Sequence, residues 1–163
     1  MKCGLVYLSQ ESCLVGDVSY HNYEGLVVES SERETLARDL GVHNNVMLLR
    51  NHGAVCCGET VEEAFFYAYH LVLACDTQIK MMPHGLDNLY TIDEATRRKT
   101  YELAQRGGGG VDSKTEGGPD GSGEKKKRKW GVGELDFEAL MRMLDNAVSC
   151  IPTGCWNTNS GFH

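Results

Sequence analysis

The stretch AFFYAYHLVLAC, residues 64–75, limits the possible folds more than any other part of the chain. Thr60 and Glu63 form a capping box just ahead of it, and Pro83 stops whatever it belongs to, so the spacing predicts one helix over 61–82. Within 64–75 only His70 is clearly polar, and apolar groups cover almost the whole helical circumference. A helix apolar all round is normally buried on several sides. Leaving Phe65, Phe66, Tyr69 or Leu73 in water would cost roughly 1.5–3 kcal/mol each relative to burial. The helix therefore lies between a sheet and another layer, or in a subunit interface, or both.

The elements that could cover it are short. Leu5–Leu8, Leu26–Glu29, Val46–Leu49 and Ala54–Cys57 read as apolar strands flanked by polar turns. Ser31 and Glu34 open a short helix that ends at Gly41, and DEATRRKTYELAQ, 93–105, reads as a charged helix facing solvent. Strands alternating with helices define an α/β fold, a mixed sheet with flanking helices. With 163 residues, the chain is long enough for one domain with a sizeable core.

Composition changes after residue 106. Residues 107–124 are Gly-rich without an aromatic side chain, and such a stretch cannot bury enough surface to offset its ordering entropy. A flexible linker is expected over 107–129, ending in KKKRK (125–129). That run reads either as a solvated linker end or as a nuclear-import or anionic-surface signal. Beyond it, Phe137, Leu140, Met141 and Leu144 recur at helical spacing, which predicts an amphipathic helix within 130–146 that docks back on the main block of 1–106. Residues 147–163 read as an irregular tail.

Charge and motifs exclude several functions. A formal net charge of -7 argues against a nucleic-acid partner, and no apolar run approaches the ~20 residues of a membrane span. The opening MKCGLVYLSQ does not read as a signal peptide, and seven cysteines without disulfide or zinc spacing read as reduced thiols of a cytosolic protein. Phosphate-loop, Gly-x-Ser-x-Gly and His-Glu-x-x-His patterns are missing from the sequence. Of the six histidines, His70 reads as a hydrogen-bonded core residue and His21 as part of a polar turn. His52, between Asn51 and Gly53 at a tight turn, has the concentrated look of a site. It reads as a metal ligand, a catalytic base or a turn residue whose neighbours Asn51 and Gly53 supply positive φ.

LLRNHGAVCCGETVEEAFFYAYHLVLACDTQI resembles the class II aldolase and adducin head-domain family, in which an Asn-His-Gly turn precedes a strand, a Gly and a capped helix. MKCGLVYLSQESCLVGDVSYHNYEGLVV and KWGVGELDFEALMRMLDN extend the resemblance, toward the adducin branch, to about residues 1–146. The resemblance implies a class II aldolase-like fold that is incomplete on its N-terminal side, as in a fragment or truncated product. In the aldolase branch His52 would be the third zinc ligand. Its partners there are a His-x-His pair on an earlier strand and an acid/base Glu, and this sequence contains no His-x-His. On that basis no metal, cofactor or catalytic residue is expected, and His52 is an inherited turn residue. Were zinc held across a subunit interface, His21 and His70 would be the first further ligands to consider.

The adducin branch implies a non-enzymatic protein of the spectrin–actin membrane skeleton, cytoplasmic and at the inner face of the plasma membrane. The head would serve self-association or pairing with other adducin-like subunits. Spectrin and actin contacts are expected to be weak for this stretch alone, without membrane insertion. The expected interface comprises Phe65, Phe66, Tyr69 and Leu73 with Phe137, Leu140, Met141 and Leu144. The alternative implied by the same family is a zinc enzyme fragment acting on phosphorylated or acidic sugars.

Overall fold

The computed structural model describes residues 2–24, 30–107 and 130–149. The expected strand Leu26–Glu29, the KKKRK run and nearly all of the linker and tail lie outside them. Elements run in the order α1 (Gln10–Leu14), β1 (Val18–His21), α2 (Ser30–Leu40), β2 (Val46–Leu49), β3 (Gly53–Cys56), α3 (Val61–Met81), α4 (Glu94–Ala104) and α5 (Glu134–Ser149). The sheet is mixed, as the α/β reading requires. β1 pairs parallel with β2 from Val18↔Val46 to His21↔Leu49, and β2 pairs antiparallel with β3 from Val46↔Cys56 to Leu49↔Gly53. Parallel pairing needs a crossover, and α2 supplies it.

Successive strand residues face opposite sides, and both Val46 and Met47 are buried, so the central strand is covered on both faces. On one face Val46 joins Leu5, Val15, Phe66, Tyr67, Leu71 and Ala74 in a single core, with Val18 and Leu48 packed against it. The inward side of α3 is this core's largest contributor. On the other face the covering is polar. Ser19 Oγ donates to the Leu40 carbonyl at 2.9 Å and accepts from Asn44 Nδ2 at 2.7 Å, while His21 Nδ1 meets Asp39 Oδ2 at 2.8 Å. α2 is thus held by its last turn, where Gly41 follows at φ 75° and donates to the Ala37 carbonyl at 3.1 Å. It begins at Ser30, so Ser31 lies in its first turn and is not the residue ahead of it.

Two expectations are corrected. Residues 5–8 form no strand. Leu5 N–H donates to Tyr20 Oη at 2.9 Å and Val6 N–H to Gln78 Oε1 at 2.7 Å, while Leu8 N–H turns back to the Val6 carbonyl and the Tyr7 carbonyl accepts from Ile92 N–H, each at 2.9 Å. Gln78 Nε2 donates in turn to the Gly4 carbonyl at 2.8 Å, so this buried amide takes the place of a neighbouring strand. Conversely, His21, read as part of a polar turn, ends the strand β1, where Ser19 and His21 are buried against partners on α2.

The hydroxyl of fully buried Tyr67 ties three elements. It accepts from Asn45 Nδ2 at 3.0 Å, just ahead of β2, and lies 3.2 Å from Glu63 Oε1 and 3.1 Å from Gln105 Oε1, beyond α4. Burial, the largest cause, pushes its pKa well above the ordinary phenol value, so it stays a donor. Nor is α4 only a solvated helix. Asp93 caps it through Thr96 N–H at 2.9 Å, Tyr101 and Ala104 pack against the core, and Arg97 lies 4.4 Å over the Tyr7 ring while pairing with Asp17. α3 begins as expected, with Thr60 Oγ1 accepting from Glu63 N–H at 3.2 Å, and it ends ahead of Pro83. Tyr67→Phe should lower stability by about 1–3 kcal/mol, because buried polar partners are left unsatisfied. Urea unfolding followed by circular dichroism would register this as a lower midpoint at unchanged slope.

Candidate functional site

The turn at His52 is built by the hairpin β2–β3. His52 N–H donates to the Leu49 carbonyl at 3.1 Å, and Asn51 takes φ 58°, a left-handed position that Asn tolerates better than most residues. Gly53 does not adopt positive φ; it pairs with Leu49 as the first residue of β3. The expectation that both neighbours of His52 supply positive φ therefore holds for Asn51 alone. Arg50 N–H donates to the His21 carbonyl at 2.9 Å, and its guanidinium lies 5.4 Å over the Tyr20 ring. Behind the turn a groove of about 600 Å³ runs between Leu5, Tyr20, Leu48, Arg50, Cys75 and Ile79.

His52 itself is exposed at the tip. A catalytic zinc takes about three protein ligands, and no group of three His, Cys, Asp or Glu side chains among the described residues could hold a metal ion. The described residues do not fit a zinc site. The histidines considered as further ligands have other surroundings. His21 is buried against Asp39, and the hydrogen bond it makes, with a second from Arg38, holds the Asp39 carboxyl below its usual range. His70 is half-buried, its ring edge-on to Phe66 at 4.4 Å and to Tyr69 at 5.4 Å. It is not the hydrogen-bonded core residue expected, because buried Nδ1 finds no partner among the described residues. Burial pushes the Cys13, Cys56 and Cys75 thiols up, which keeps them protonated and poor nucleophiles.

The expected interface residues divide. Phe66 belongs to the core and is unavailable to a partner. Phe65 stacks with Tyr69 at 6.2 Å and meets Phe137 edge-on at 5.4 Å, which places α5 against the first half of α3. Gly133 makes this approach possible, because a Cβ there would lie 2.5 Å from the Glu62 carbonyl oxygen and 2.7 Å from Phe66 Cβ. Leu73, Leu140 and Met141 are half-buried, and Leu144 is exposed. Sequence reasoning missed Val61, Val72 and Ile79, which at 71%, 67% and 61% exposure continue one stripe along α3 with Tyr69. Their spacing of seven and eleven residues was the available signal.

Residues 1–79 match the family described as Class II Aldolase and Adducin N-terminal domain. That match takes in just under half of the chain, which over this stretch is similar to the class II aldolase and adducin family. Its similarity within that family runs to adducins: it is 44% identical to human gamma-adducin and 42% to mouse alpha-adducin, and 45% to the Drosophila melanogaster protein hu-li tai shao, each over 90% of this chain. The chain spans only 20%, 18% and 14% of those proteins. Among solved structures, an aldolase II superfamily protein from Pseudomonas syringae is similar with a TM-score of 0.67 and 33% identity, over 90% of this chain and 51% of that one. L-fuculose 1-phosphate aldolase from Glaciozyma antarctica PI12, 20% identical over 89% of this chain and 45% of its own, shares the fold with a TM-score of 0.59.

Two outcomes follow from this geometry. His52→Ala should leave zinc content unchanged and cost on the order of 1 kcal/mol at most, as checked by elemental analysis of protein purified without a metal-affinity tag. Asp39→Asn should lower the melting temperature at neutral pH. The depressed Asp39 pKa contributes stability that is fully present above the ordinary value of 3.8 and lost as pH falls through the folded-state value below it. Wild-type and variant melting curves should therefore converge in that acid window.

Proposed function

We propose that this chain is a non-enzymatic, adducin-like head segment whose work is self-association, within a protein of the spectrin–actin membrane skeleton at the cytoplasmic face of the plasma membrane. The observation that carries the reading is the 42–45% identity to hu-li tai shao, gamma-adducin and alpha-adducin over 90% of the chain. The surface of α3 supports it. Tyr69, which stacks on Phe65, lies exposed with Val72 and Ile79 further along α3, and an apolar stripe of that length favours burial against another subunit. Leu144 and Met143, both exposed on α5, add to the same kind of surface. Among the described residues no helix is long and apolar enough to cross a membrane. The alternative, a zinc enzyme acting on phosphorylated or acidic sugars, would need ligands beyond His52.

Size-exclusion chromatography with light scattering should give a mass above the 18.0 kDa of one chain, and Val72→Glu, which places a charge in the stripe, should shift it toward that value. A stable, monodisperse 18.0 kDa wild type would refute self-association through this segment. Co-sedimentation with F-actin at physiological salt should show weak pelleting only, since the segment is acidic at -7 overall. Tight, saturable pelleting would mean instead that the filament contact lies in this segment.

A further inference from the structure

We infer that the open cavity between α1, α3, α4 and the start of α5 is a binding site for a small organic cation, an ammonium group carried on an apolar ring or chain. The cavity holds about 460 Å³, within the range of small-molecule sites. Leu14, Phe66, Leu103 and Ala104 supply apolar walls, and His70 and Asp136 are among the few polar groups. It lies on α1, α4 and α5 as well as α3, and does not involve the Asn-His-Gly turn or the groove behind it.

His70 determines what kind of ligand fits. Its Nδ1 is buried and has no hydrogen-bond partner among the described residues, and buried polar atoms are rarely left so. The Phe66 and Tyr69 rings fix the imidazole plane by edge contacts at 4.4 and 5.4 Å. Burial, the largest influence, lowers the imidazole pKa, which favours the neutral ring, and its Nε2–H tautomer presents Nδ1 as a hydrogen-bond acceptor. Among the described residues the charged groups acting on the ring, Asp136 from α5 and Glu11 from α1, are both carboxylates, and no described Lys or Arg lines the cavity. An anion would enter against this field. A cation with N–H donors meets it favourably, leaves its apolar part against Leu14 and Leu103, and satisfies Nδ1.

Saturation-transfer NMR on the whole 163-residue chain, which works equally on monomer and oligomer, tests this with benzylammonium as probe and benzoate as control. Benzylammonium should bind saturably and benzoate should not. His70→Phe keeps an aromatic ring against Phe66 and removes the acceptor, so binding should weaken by about tenfold, the effect of losing one charge-assisted hydrogen bond. Asp136→Asn, at an exposed position, should weaken it several-fold, and so should acidification, because a protonated imidazole repels the probe. Circular dichroism checks that the His70 variant folds; if it does not, Asp136→Asn and the pH series decide. Equal binding of both probes, binding of neither, or indifference to these changes would overturn the assignment.

Discussion

The apolar circumference of α3 is the constraint that everything else in this domain answers. A helix of 21 residues with apolar groups on nearly every side needs more cover than one sheet face provides. The structure solves this by division. Phe66, Tyr67, Leu71 and Ala74 go into the core against Leu5, Val15 and Val46, and Phe65 is met by Phe137 of α5. The stripe of Tyr69, Val72 and Ile79 remains exposed. Each neighbour is there because some part of α3 requires it, and the remaining stripe is what the proposed self-association would use.

Much of this was legible in the sequence because its signals are local. The capping residues Thr60 and Glu63, the break at Pro83 and the four apolar residues 46–49 act within a few positions of themselves, and α3 and β2 appear as read. The failures come from long-range satisfaction of polar groups. Nothing in VSYH announces that Ser19 and His21 will be buried, because their partners Leu40 and Asp39 lie some twenty residues on. Residues 5–8 have the composition of a strand and yet pair with no strand, because Tyr20, Gln78 and Ile92, distant in sequence, take the hydrogen bonds of Leu5, Val6 and Tyr7.

The candidate site was legible in the same uneven way. The Asn-His-Gly turn is visible as a motif, and its likeness to the aldolase branch assigns His52 a role that one exposed imidazole does not fill. The exposed half of α3 could be read only as a choice between burial and interface, since periodicity does not say which apolar face the core will take. The unpartnered nitrogen of His70 could not be read at all. It depends on where α5 begins, and that start is held by the close approach of Gly133 to Glu62 and Phe66.

The amide of Gln78 also sets an order in time. Its bonds to Val6 and Gly4 span 72 and 74 positions of sequence, and Arg97 reaches Tyr7 across 90. During synthesis at ~5–20 residues per second, residues 4–8 are added to the chain roughly 4 to 15 seconds before Gln78 is. The hairpin β2–β3 and α3, whose contacts are local, can form meanwhile. The amino-terminal segment is consequently among the last parts to lock. It is also the part for which a nascent chain depends longest on remaining unclaimed by other strands or by chaperones.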